Sequence, residues 1–168
     1  MIVPTPEGIA RAEAVLATAD SLGLLPRVAV RFSVYDEYRH VKERLRALGR
    51  EPFYPGDAFQ ATDTQLLDVI AMLERALGKH GDAIRLGCCA ETRLLQLWAG
   101  GDHGQDTGLA LRQEGCVSRS LLDAWGVDPD IFGVNPQGRG GCLCCGAKVE
   151  LLGKRGQCPH GCVYCYWR

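Results

Sequence analysis

Val28-Ala29-Val30-Arg31-Phe32-Ser33-Val34 sets large apolar residues at every second position, which is the period of a β-strand. The segments on either side read as helices. Upstream, Thr5-Pro6 opens one, with threonine as the cap and proline in the first turn, where its missing N–H is no loss. Ile9, Ala12, Val15, Leu16, Ala19 and Leu22 then recur on one face, so a helix is predicted over residues 6–22, ended by Gly23. Downstream, Asp36 is positioned to cap a helix carrying Tyr38, Val41, Leu45 and Leu48, closed by Gly49. Residues 51–61 contain Pro52, Pro55 and Gly56 and read as a loop. Residues 63–77 give the clearest amphipathic pattern, with Leu66, Val69, Ile70, Leu73 and Leu77 on one face and Gly78 as the stop. A second, short strand is predicted over residues 83–87, delivering Cys88 and Cys89. Short helices follow over 91–98 and 118–125, separated by a glycine-rich loop over 100–108.

Strands that alternate with helices pair in parallel, so the expected class is α/β. Two strands give a parallel sheet little interior, and such a sheet needs both faces covered. The expectation is therefore an incomplete barrel, or a half that docks elsewhere. After Asp128 the composition changes to Gly, Pro and Cys, and a segment of that kind cannot order itself by apolar burial alone. Two regions are expected: a partial α/β barrel over residues 1–127 and a cysteine-rich, metal-binding tail over 128–168, ordered by its metal.

The formal net charge is −1, with acids and bases interspersed, so no basic stripe points to nucleic acid. No run of about 18 apolar residues is present for a membrane span. The first residues lack the basic and apolar regions of an export signal, which predicts a cytoplasmic protein. Nine cysteines stand out, and six of them lie between Cys142 and Cys165. Their odd number, together with a reducing compartment, favours metal ligation or thiol chemistry over disulfides.

The most specific pattern is Cys158-x3-Cys162-x2-Cys165. Three thiolates at these spacings can hold three irons of a [4Fe–4S] cluster and leave the fourth open to a small ligand. This is the arrangement used by radical S-adenosylmethionine enzymes, which also carry an aromatic residue just before the third cysteine, here Tyr164. Cys142-x2-Cys145 taken with Cys162-x2-Cys165 instead gives the spacing of a tetrahedral zinc ribbon, so Zn is the alternative metal. A second metal site drawn from Cys142, Cys144, Cys145, Cys89 and Cys116 is also compatible with the spacing. A thiol-exchange role for Cys142 and Cys145 ranks last, because the vicinal pairs Cys88-Cys89 and Cys144-Cys145 do not suit it. His80 is expected to be solvated, and His103 has no evident partner.

The run Cys158-Pro-His-Gly-Cys162-Val-Tyr-Cys165-Tyr166 resembles the ending of a bacterial family, domain of unknown function 1848, whose cysteine cluster is similar to that of radical S-adenosylmethionine enzymes. Tyr35-Asp36-Glu37-Tyr38 after the first strand, Cys89-Ala90-Glu91, Gly115-Cys116-Val117-Ser118 and Cys142-x-Cys144 resemble further landmarks of that family. The resemblance covers the C-terminal half of the family. It implies half of a TIM-like βα barrel, a missing barrel half or second subunit as partner, a [4Fe–4S] cluster with S-adenosylmethionine as cofactor, and a small-molecule substrate that the sequence does not name. The alternative expectation is a non-catalytic metal-binding module that docks a partner. Whether the chain is an enzyme stays open at this point.

Overall fold

A computed structural model of the chain describes residues 1–115, 123 and 125–128. The described residues fall into two compact units. One contains Met1–Tyr35 and the described residues from Thr62 onward, and the other contains Asp36–Ala61.

The first unit is α/β. Its helices are α1 (Pro6–Ser21), α3 (Asp63–Leu77) and α4 (Thr92–Gly100), and its strands are β1 (Ala29–Phe32), β2 (Arg85–Cys88) and β3 (Leu111–Gln113). The strands pair in parallel in the order β1-β2-β3, with Val30 opposite Leu86 and Leu86 opposite Leu111. Ile2 adds a parallel bridge to Val34 on the outer edge of β1: its N–H donates to the Ser33 carbonyl at 2.8 Å, and its carbonyl accepts from Tyr35 N–H at 2.8 Å. The parallel α/β architecture is as expected. A closed barrel is not formed by the described residues.

One strand was missing from the sequence reading. Leu111-Arg112-Gln113 is too short and too polar to show a period, and its neighbours in the sheet define it. The second strand also runs later than expected, over Arg85–Cys88, because Gly78–Ala83 forms a 3-10 turn in which Gly81 takes φ 55°. A Cβ there would lie 2.5 Å from the Thr107 carbonyl oxygen, so the close approach as well as the backbone angle calls for glycine.

The core forms on α3. Leu66, Val69, Ile70, Leu73 and Leu77 are buried as predicted, joined by Met72. Each such side chain contributes roughly 1.5–3 kcal/mol of apolar burial. Thr62 and Gln65 form a capping box at the start of α3: the Thr62 hydroxyl accepts from Gln65 N–H at 3.4 Å, and Gln65 Oε1 accepts from Thr62 N–H at 2.9 Å. Helix α3 packs against both α1 and α4, so these helices make one layer. That layer faces Phe32, Leu86 and Cys88, the buried side of the sheet. Helix α1 buries no residue completely, and Val15 and Leu22 on its predicted inner face are 68% and 66% exposed. An apolar face along a helix predicts the helix, but not how much of that face is covered.

Polar tethers fasten the helices to their connections. Glu74 on α3 accepts from Gly104 N–H at 2.7 Å and meets His103 Nδ1 at 3.2 Å, so His103 is partnered after all. Asp20 meets His80 at 2.7 Å and is also bonded by Lys79, so His80 is half-buried rather than solvated.

The second unit is built on α2 (Arg39–Ala47), capped at Tyr38 and not at Asp36 as expected. Val41 and Leu45 are buried, while Leu48 is exposed. Glu37 is fully buried and accepts from the N–H groups of Phe53 and Tyr54 at 2.9 and 2.8 Å. Lys42, 5% exposed, donates to the carbonyls of Tyr54 and Gly56 at 2.6 and 2.8 Å and lies 3.8 Å from Glu37. This ion pair and its backbone contacts hold the proline-containing loop against α2.

The 128–168 tail lies, except for Asp128, outside the described residues, as does most of the predicted helix over 118–125.

Candidate functional site at the carboxyl end of the sheet

Because β1, β2 and β3 run the same way, their carboxyl ends share one edge of the sheet, where open α/β sheets place their ligands. Residues 33–35, 88–91 and 114–115 meet there. Cys88, the last residue of β2, is 1% exposed and sits on the helix-covered face. Burial, with a further contribution from the Glu91 carboxylate, pushes its thiol up to about 12. At neutral pH it is a protonated packing group, not a nucleophile. Cys89 follows on the other side of the strand and is half-buried.

The chain then turns sharply. Ala90 adopts φ 59°, a left-handed conformation unusual for a residue with a Cβ. The turn directs Glu91 across the end of β1, where its Oε1 accepts from Val34 N–H at 2.8 Å. Glu91 is also the residue that precedes α4. On the other side, Glu114 N–H donates to the Cys88 carbonyl at 2.9 Å and extends the β2–β3 pairing by one bond.

A charged group lies on the sheet face away from the helices. Arg31 on β1 forms an ion pair with Glu114 at 2.6 Å and donates to the Gly115 carbonyl. Arg85 on β2 approaches the other oxygen of Glu114 at 3.8 Å. Sequence reasoning passed over Arg31 and Glu114, and it met Glu91 only as part of the Cys89-Ala90-Glu91 landmark. A signal was present for the first, since arginine in the middle of a valine-rich parallel strand departs from the apolar pattern of strands buried on both faces.

Of the cysteines singled out as ligands, Cys89 lies at this edge. Cys116, Cys142, Cys144, Cys145, Cys158, Cys162 and Cys165 lie outside the described residues, with Tyr164. Among the described residues, no three His, Cys, Asp or Glu side chains gather in a way that could hold a metal ion. Also among them, no helix is long and apolar enough to cross a membrane.

No curated protein and no solved structure matches the chain. A family model does, and the matched stretch begins in α1 and runs past the last cysteine. Matching over residues 18–167, the chain belongs to the family described as domain of unknown function 1848 (DUF1848).

Proposed function

We propose that the chain is an iron–sulfur protein in which Cys158, Cys162 and Cys165 ligate three irons of a [4Fe–4S] cluster, leaving one iron open to a small ligand. The observation that carries this reading is the Cys158-x3-Cys162-x2-Cys165 spacing with Tyr164 before the last cysteine. The donor set fits the group: three thiolates suit an iron cluster and leave one coordination position open. When bound, such a cluster supplies one-electron reduction of S-adenosylmethionine, the cofactor we assign to the open iron. Tyr164, next to Cys165 in the sequence, is the residue we assign to cofactor binding. The substrate is a small molecule.

The described fold supports the architectural half of the proposal. Successive strands that lie side by side, all parallel, with the helices of the sheet in one layer, are what half of a TIM-like βα barrel requires. The carboxyl edge with Cys89 and Glu91 is then the rim on which such barrels place their chemistry, and a second barrel half or subunit is the proposed partner.

A second reading is favoured by one specific observation, the paired Cys142-x2-Cys145 and Cys162-x2-Cys165 spacing. In it the tail is a non-catalytic Zn or iron–sulfur module that docks a partner.

Anaerobic purification followed by reconstitution with iron and sulfide decides between them. The first reading expects a brown protein with iron and sulfide near four each per chain. It also expects Cys158→Ala to abolish the cluster, and 5′-deoxyadenosine to form on addition of S-adenosylmethionine and reductant. A colourless protein holding one zinc, unaffected by Cys158→Ala, would overturn it and establish the ribbon.

A further inference from the structure

Strand register places Arg31, Gly87 and Arg112 in one row across β1, β2 and β3, with Arg85 one position away on the same face of β2. Alternation sends Val30, Phe32, Leu86, Cys88 and Leu111 to the helix side, so this row belongs to the opposite face. In a parallel sheet that face is ordinarily apolar. Here it holds three guanidinium groups and the Glu114 carboxylate.

β1 and β3 are not neighbours. They are separated by two strand spacings, about 9.6 Å. Arg31 and Glu114 can meet at 2.6 Å only by reaching over β2. Gly87 leaves the floor open for them: a Cβ at that position would lie 3.3 Å from Glu114 Cβ and 3.4 Å from Oε2. The carboxylate therefore sits above Gly87, with Arg31 on one oxygen and Arg85 at 3.8 Å from the other. A structural bridge across the strand needs one arginine. Arg112 is exposed and makes no ion pair among the described residues, and Arg85 is half open to solvent.

We propose that this arginine-lined face around Gly87 binds a small oxyanion, a carboxylate or a phosphate, with Glu114 as an internal carboxylate that marks the position and competes for it. Guanidinium groups that converge on one carboxylate offer the planar donor pairs that both anion types accept. Among the described residues, Arg31 and Arg85 approach Glu114, and Arg112 is set against no carboxylate. The inference rests on the described sheet and does not require the cluster.

The test is calorimetric titration of the full chain, metal-free and after loading with iron and sulfide, using inorganic pyrophosphate and citrate as separate probes. Saturable binding by one of them is expected in both forms of the protein, and the probe that binds identifies phosphate or carboxylate as the ligand class. Arg112→Gln should weaken binding about tenfold, the loss of one charge-assisted hydrogen bond. Arg11→Gln, an exposed arginine on α1, should leave it unchanged. Glu114→Gln should strengthen binding, an effect that a purely structural ion pair does not produce. If that variant does not fold, as judged by circular dichroism, Arg112→Gln read against Arg11→Gln decides the question. The inference is overturned if neither probe saturates, or if all variants bind alike, which would mean an adventitious ion only. Binding confined to the iron-loaded protein would place the anion on the metal and overturn it as well. Cluster absorbance recorded on the same samples keeps a failed cluster distinct from a failed anion site.

Discussion

Lys42→Met tests how the second unit is held together. Methionine keeps most of the lysine stem but removes the ammonium group. Glu37 is then left fully buried, 3.8 Å from where its counter-charge had been, and the carbonyls of Tyr54 and Gly56 lose donors at 2.6 and 2.8 Å. Removing one partner of a buried pair costs about 3–5 kcal/mol, because the other charge stays desolvated. That is a large share of the roughly 5–15 kcal/mol that stabilises a typical domain. Glu37→Gln should cost less, about 1–3 kcal/mol, since an amide oxygen still accepts from Phe53 or Tyr54 N–H. The double variant should be less damaged than the sum of the singles, by about 0.5–3 kcal/mol, as coupled neighbours are. Urea unfolding followed by circular dichroism gives the energies. Hydrogen exchange across residues 36–61 shows where the loss falls, and the expected site is the loop carrying Phe53 and Tyr54. A Lys42→Met cost below about 1 kcal/mol, the level of a solvent-exposed pair, would refute the argument that this ion pair is desolvated.

The other expectations concern the first unit. Ala90→Gly should stabilise the chain by roughly 0.5–1 kcal/mol, because glycine removes the left-handed penalty and returns part of the gain as unfolded-state entropy; a lower urea midpoint would contradict this. Cys88 should resist iodoacetamide in the native protein at pH 8 and react after denaturation, as peptide mass spectrometry can read. Its raised value also sets a sign: the folded state keeps the thiol proton to about 12 while the unfolded chain releases it near 9, so stability should fall between those pH values by at most about 1.4 kcal/mol per unit. The Lys79 and His80 bonds hold the Asp20 carboxyl below its ordinary range, so its contribution is present above pH 3.8 and is lost as pH falls through the lowered value; acid titration of Asp20→Asn against the parent checks the direction.

Periodicity was enough for α1, α3, α4 and β1, because each carries its pattern within its own residues. Leu66 to Leu77 state the α3 core without help from the rest of the chain. What periodicity could not supply was whatever depends on partners distant in sequence. β3 is a strand because Leu86, Gly87 and Cys88 pair with it, and nothing within Leu111-Arg112-Gln113 says so. The Asp36 cap failed because a capping side chain needs backbone N–H groups one turn ahead, and α2 begins only at Arg39. At the candidate site, the Cys89-Ala90-Glu91 segment was legible as a landmark, but its geometry was not: a positive φ at an alanine has no residue signature, whereas at a glycine it would have been suspected. The ligand set proposed for the tail rests on spacing alone, and it lies outside the described residues.

The bond from Val34 N–H to Glu91 joins the end of one strand to the turn after its neighbour. It ties two loops of different sequence origin into one mechanical element, so neither can shift without stretching the other. The Val34 amide thereby becomes a spectroscopic gauge of the Cys89 turn. A ligand, metal or partner that displaces Glu91 will register at Val34 as faster exchange and a moved resonance, even if it never touches β1.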